Sequence, residues 1–164
     1  LPRARFEESS GKHGVTICKQ CEAYYHRKAW RHGKGEFLGK KENRDIKFGR
    51  VLCPACQIVK DKLFSGKITL KYVPKDKETE VMNLVENFCG RAWKRDPLDR
   101  LISIKKEKGL LVVTVTENQM AQRLAKKIKD TYHKVTLKIF HVKEPSDVTL
   151  INLSFITGKE AEEV

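Results

Sequence analysis

Cys18-Lys19-Gln20-Cys21 and Cys53-Pro54-Ala55-Cys56, with 31 residues between them, are the two stretches that decide how this chain of 164 residues folds. A two-residue gap turns the backbone on itself, so each pair presents two thiolates to one ion and leaves amides near the sulfurs. Four sulfurs close a tetrahedral sphere and leave no position for water or substrate. The expected metal is therefore a single structural Zn2+ held by Cys18, Cys21, Cys53 and Cys56, and metal catalysis is disfavoured. Read as disulfides, the same residues would need an oxidising compartment and would leave the fifth cysteine, Cys89, over. A redox iron site is the other alternative, because Tyr24 after the first pair and Lys60-Asp61 after the second are similar to the rubredoxin pattern. Glu22 and Gln57, however, stand where rubredoxins usually carry glycine, and rubredoxins are small and acidic.

The segment between the pairs holds five Lys, four Arg, two His, two Tyr and one Trp. Its first part, Tyr24-Tyr25-His26-Arg27-Lys28-Ala29-Trp30-Arg31-His32, interleaves rings with cations. Cations neutralise phosphates, and flat rings stack on unpaired bases. Tyr24, His26, Arg27, Lys28, Trp30, Arg31 and His32 are accordingly candidate RNA contacts, joined by Lys40, Lys41, Arg44, Lys47 and Arg50 further on. A second reading of Tyr25 and Trp30 stands beside this one: a zinc module has so small a core that both rings can serve as its packing. The middle of the segment, with Gly33, Gly35 and Gly39, shows no clear period and reads as mobile or ordered by a partner.

Beyond the second pair, residues 67–73 alternate polar with apolar, the mark of a half-buried strand. Val81, Leu84, Val85, Phe88, Ala92 and Trp93 then follow helical spacing up to Pro97, which ends the helix. A hairpin is expected around Glu107-Lys108-Gly109. A capping box, Thr116 to Gln119, opens a helix with Met120, Ala121, Leu124, Ala125, Ile128 and Tyr132 as its stripe. Val135 to Val142 and Val148 to Phe155 read as closing strands. The resulting expectation is an α+β chain: an N-terminal four-cysteine zinc ribbon followed by a small α/β sandwich of order α-β-β-α-β-β. Its expected divisions are an extended arm (1–14), the zinc module with its basic insert (15–74), the α+β domain (75–157) and an acidic tail (158–164).

Charge narrows the partner. There are 34 Lys and Arg against 21 Asp and Glu, a formal +13 that four thiolates and one divalent ion would lower to +11. Residues 1–60 carry 14 cations against 6 acids and residues 61–164 carry 20 against 15, so the zinc half is the denser positive patch. A polyanion is the natural partner. No apolar run approaches the ~20 residues of a membrane-spanning helix, and no signal-peptide pattern opens the chain, although it starts at Leu1. A cytoplasmic protein is expected, with no membrane and no small-molecule substrate, acting as a monomer.

Catalytic chemistry finds no foothold. His13, His26, His32, His133 and His141 bear no fixed relation to a nucleophile or a paired carboxylate, and there is neither a P-loop nor a GxGxxG run. Cys89, beside Phe88, reads as a buried small apolar residue. Arg123, Lys126, Lys127 and Lys129 read as a solvated helix face. Arg91, Lys94, Arg95 and Arg100 flank Pro97, with Asp96 and Asp99 at hand as partners.

Three stretches together carry a resemblance: CKQCEAYYHRKAW from Cys18, VLCPACQIVKDKLFSGKITL from Val51, and DPLDRLISIKKEKGLLVVTVTENQMAQRLAKKIKDTY from Asp96. In order and content they resemble the short bacterial and archaeal zinc-ribbon relatives of the Nmd-type adapter that exports the large ribosomal subunit. The likeness covers about residues 15–142. It implies metal ligation by the four cysteines and binding to the large subunit and its rRNA, in biogenesis, quality control or hibernation. The chain departs from the full-length adapters in having two CxxC pairs rather than four and in lacking their further C-terminal domains, so export itself is not implied. A DNA-binding zinc-ribbon regulator is the alternative from another class, and it lacks an obvious recognition helix near the cysteines.

Overall fold

The computed structural model describes residues 14–156, in which the chain is mixed α/β with two sheets and four helices. The expected arm and acidic tail lie outside the described residues, apart from Gly14, which begins the first strand. The chain divides into two compact units, residues 1–62 with 93–98, and residues 63–92 with 99–164.

In the first unit, β1 (Gly14–Cys18), β2 (Tyr24–His26), β3 (Ala29–Arg31) and β4 (Lys47–Val51) form one sheet in the order β3-β2-β1-β4. β2 runs antiparallel to β1, whereas β4 runs parallel to it with Cys18 opposite Val51. Parallel neighbours need a crossover of a dozen or more residues, and the stretch from Cys18 to Lys47, whose middle reads as mobile in the sequence, is that crossover. It is folded: the β2–β3 hairpin, helix α1 (Lys34–Gly39) and a 3-10 turn (Lys41–Asn43) lead into β4. Strands of three residues are too short to show a period, which is why the sequence pattern misses them.

The sheet separates two small cores. On one face Phe37 from α1 stacks on Tyr24 at 4.5 Å and lies against Val15 and Ile17. On the other, Tyr25 and Trp30 pack with the cysteines. After β4 comes α2 (Pro54–Lys60), with Cys53 as its N-cap and Pro54 in its first turn, where a missing N–H costs nothing.

The second unit holds a five-stranded sheet in the order β6-β7-β5-β9-β8: β5 (Gly66–Lys71), β6 (Leu101–Glu107), β7 (Leu110–Val115), β8 (Val135–Val142) and β9 (Val148–Phe155). β5 lies at its centre, antiparallel to β7 and parallel to β9. The division therefore falls at 62/63 rather than near residue 74, and the strand expected in the zinc module completes the other sheet. Helices α3 (Glu78–Arg95) and α4 (Asn118–Tyr132) supply one apolar core with the sheet: Val81 and Val85 from α3 and Leu124 and Ile128 from α4 join Ile68, Leu70, Ile151 and Leu153. Cys89 belongs to this core, as its sequence context implies, and burial pushes its thiol up to about 12.

Where β5 passes α4 there is room only for glycine. A Cβ at Gly66 would stand 2.5 Å from the Ala121 Cβ and 2.9 Å from Val115 Cγ2. The start of α4 also differs from the expected capping box. Glu117 is the N-cap, accepting from the amides of Gln119 and Met120, while the Thr116 hydroxyl accepts from the Arg100 amide. Asp99, one of the two acids beside Pro97, pairs with Arg123 at 3.3 Å, and Asp96 accepts the Leu98 amide. Among the described residues no helix is long and apolar enough to cross a membrane.

Candidate metal centre

Parallel pairing of β1 with β4 brings the two CxxC pairs together. Cys18 ends β1, Val51 ends β4 beside it, and the Lys19 amide donates to the Val51 carbonyl at 2.9 Å. The pairs share a spacing but not a backbone. The first is a turn, closed by the Cys18 amide on the Ala23 carbonyl and by Glu22 in a left-handed conformation (φ 64°). The second spans the first turn of α2.

The four Sγ atoms lie within 4.8 Å of one another. Sulfurs about 2.3 Å from a central zinc stand about 3.8 Å apart along a tetrahedron edge, and Cys21 Sγ to Cys53 Sγ is 3.7 Å. None of the five cysteines is joined in a disulfide. The amides of Gln20 and Cys53 donate to the Cys18 sulfur at 3.4 and 3.2 Å, and the Cys56 amide donates to Cys53 at 3.4 Å. Such N–H···S bonds stabilise thiolate, the form that binds metal. Burial alone would raise the Cys18 thiol, but the amides of Cys21, Cys53 and Gln20 outweigh it and bring it down to about 6. Burial raises Cys53 and, with the Cys18 charge beside it, Cys21. Bringing four sulfurs together without an ion is thus unfavourable, and a divalent cation removes that repulsion. The donor set and its spacing fit one tetrahedral metal.

The candidate RNA contacts separate into inside and outside. Tyr24 and Trp30 are buried, Tyr24 under α1 and Trp30 against the cysteines, so neither ring is open to a base. His26 is half-buried against Phe37 at 4.8 Å, and its imidazole is depressed by burial and by the charges of Arg27 and Arg31. His32 is exposed but donates to the Trp93 carbonyl at 2.6 Å and meets that ring edge-on. Arg27, Lys28, Arg31, Lys40, Lys41, Arg44, Lys47 and Arg50 are all exposed. By strand register, Arg27-Lys28 at the hairpin tip and Lys47 at the start of β4 share the end of the sheet away from the cysteines, while Arg31 and Arg50 flank the metal end. Within this unit the described ion pair is Lys34 with Glu22 at 2.8 Å, and none of those eight cations makes one.

Two features escape the sequence reading. Arg27 and Lys28 both have positive φ, 50° and 62°, in a two-residue turn without glycine. Phe48, on edge strand β4, is 50% exposed with the Arg50 guanidinium 5.7 Å from its ring centre. The alternation of Lys47, Phe48, Gly49 and Arg50 was the available signal, but an edge position cannot be read from one strand. In comparison with known proteins, the chain matches no family model, no curated protein and no solved structure.

Proposed function

We propose that this is a non-enzymatic RNA-binding protein whose first unit is folded around one structural Zn2+ and whose partner is the ribosome, through large-subunit rRNA. The observation that carries the reading is the set of eight exposed cations, without ion pairs among the described residues, on a small scaffold whose rings are mostly inside. The segment also exposes Glu22, Glu36, Glu42 and Asp45, so the cations leave a net positive excess, and such an excess creates a field that concentrates polyanions. Phe48 beside Arg50 supplies the ring that Tyr24 and Trp30 do not. The resemblance to the zinc-ribbon relatives of the Nmd-type adapter directs the choice among RNAs to the large subunit, in biogenesis, quality control or hibernation. On this reading the protein acts in the cytoplasm as a monomer.

Sedimentation of a lysate through a sucrose gradient, with and without RNase, tests the partner. Comigration with the large subunit, lost on RNase treatment, is expected. A protein that stays at the top of the gradient in both samples would overturn ribosome binding. Affinity for rRNA should fall with a slope of about −5 to −6 in log K against log salt if about seven phosphates are contacted. Metal analysis should return one zinc per chain and a colourless protein, since ferric thiolate absorbs in the visible.

A further inference from the structure

The second unit carries its own surface. Both of its helices feed the same core, on the face of the sheet where Ile68, Leu70, Ile151 and Leu153 point. No described helix or strand of the unit lies on the opposite face, where Val112 is buried among its neighbours and the Phe64 ring stands 6.0 Å from the Lys67 ammonium. Strand register lays out that opposite face in rows. One row runs Lys105, Val112, Thr69, Asn152, Lys138 across all five strands, and the next runs Ser103, Thr114, Lys67, Leu150, Phe140. Lys71 and Ser154 begin a third.

Three properties separate this face from an ordinary solvated one. Its cations are Lys67, Lys71, Lys105 and Lys138 against a single acid, Glu107, and none of the four makes an ion pair among the described residues. Lys106, one residue along β6 and facing the core side, does pair with Glu78 at 3.1 Å. Cross-strand neighbours normally match opposite charges, and here the lysines stand opposite Val, Leu, Thr, Asn or Ser instead. Phe140 is 50% exposed beside Leu150, forming an apolar plate within the lysines. Thr69, Thr114 and Asn152 between them offer donors and acceptors. With strands about 4.8 Å apart, the row from Lys105 to Lys138 spans about 19 Å, the reach of a few nucleotides.

A flat sheet with cations to track a backbone, a ring to stack on and hydroxyls or amides to meet base edges suits a single strand. We infer that the open face of the five-stranded sheet binds single-stranded RNA, through Lys67, Lys105, Lys138 and Phe140, as a second contact besides the basic surface of the first unit. The inference rests on the reading of the protein as RNA-binding.

The test uses the full zinc-loaded chain and a fluorescein-labelled oligouridylate carrying 4-thiouridine. Cross-links on the unaltered protein should map to residues 136–140 and 67–71 as well as to the first unit. Phe140→Ala should weaken binding at least about fivefold, with Phe140→Tyr restoring it. Lys67→Ala, Lys105→Ala and Lys138→Ala combined should reduce the salt slope by about 2. Variants that bind like the unaltered protein, with cross-links confined to residues 24–50, would overturn this inference and leave the first unit as the RNA surface. Failure of the unaltered protein to bind the oligouridylate would overturn the RNA reading as well.

Discussion

In the second unit the interior is dominated by large apolar side chains, with Leu124 and Ile128 of α4 laid against Ile68, Leu70, Ile151 and Leu153. In the first, three of the seven buried residues on the metal side of the sheet are cysteines, and the rest of that cluster is Ala23, Ala55, Tyr25 and Trp30. Apolar burial contributes about 25 cal/mol per Å², so alanines and sulfurs offer little where leucines and isoleucines offer much. An ion bound by the four cysteines would supply what that smaller core cannot. The lesson is that two units of one chain can owe their folds to different free energies, and can be addressed separately.

Metal removal gives the largest effect that sets the two units apart. A strong chelator, or Cys53→Ser, should unfold the first unit, since structural zinc contributes about 10–16 kcal/mol of folding free energy. Amide spectra should then lose the resonances of residues 14–62 and keep those of β5 to β9. Collapse of both sets would break the comparison, and one equivalent of zinc kept by the Cys53→Ser variant would count against the four-cysteine site. The complementary change is Leu124→Ala, fully buried in α4. It should cost the second unit about 2–5 kcal/mol in a denaturant titration while the zinc content stays at one.

Gly66→Ala sharpens the account of the second core, because the added methyl meets Ala121 and Val115 too closely. A loss of about 1–3 kcal/mol is expected from such overpacking, and unchanged thermal unfolding would mean that β5 and α4 are not packed this tightly. Lys28→Gly separates stability from binding within the first unit. Relief of a non-glycine residue from positive φ should add about 1 kcal/mol, while RNA affinity falls by the loss of one phosphate contact. A variant that gains stability and keeps its affinity would remove the hairpin tip from the RNA surface.

The smallest effect is a titration. Burial first, then Arg27 and Arg31, hold the His26 imidazole below its ordinary range. The fold therefore favours the neutral ring, so its contribution is present above the usual histidine pKa and is lost as pH falls through the depressed value. Phosphate bound at Arg27 and Arg31 should move the His26 resonance back upward. A ring that titrates identically with and without RNA would place the ligand elsewhere.

Much of this was legible because it is local. Helical spacing from Val81 to Ala92 and from Met120 to Ile128, the turn at Lys108-Gly109, and the last two strands all follow from neighbours within a few residues. The four cysteines of the candidate site were legible for the same reason, whereas the short helix after Cys53 was not read, although Pro54 is a local signal for it. Pairing is not local. The alternation of 67–73 announces a strand but not that β7 and β9 flank it, and nothing near Cys18 says that β4 will lie parallel beside it. Side-chain facing was legible in part: Tyr25 and Trp30 pack beside the cysteines as the smallness of that core suggests, whereas only the sheet order sends Tyr24 inside and Phe48 out.

Residues 93–98 belong to the first unit, where the Trp93 carbonyl and ring engage His32 and Leu98 packs against the cysteine cluster. The chain thus leaves that unit at 62/63, returns at 92/93 and departs again at 98/99. For inheritance this means that no single crossover in the gene can exchange the first unit whole. A recombinant joined after residue 62 receives the four cysteines without Trp93 and Leu98.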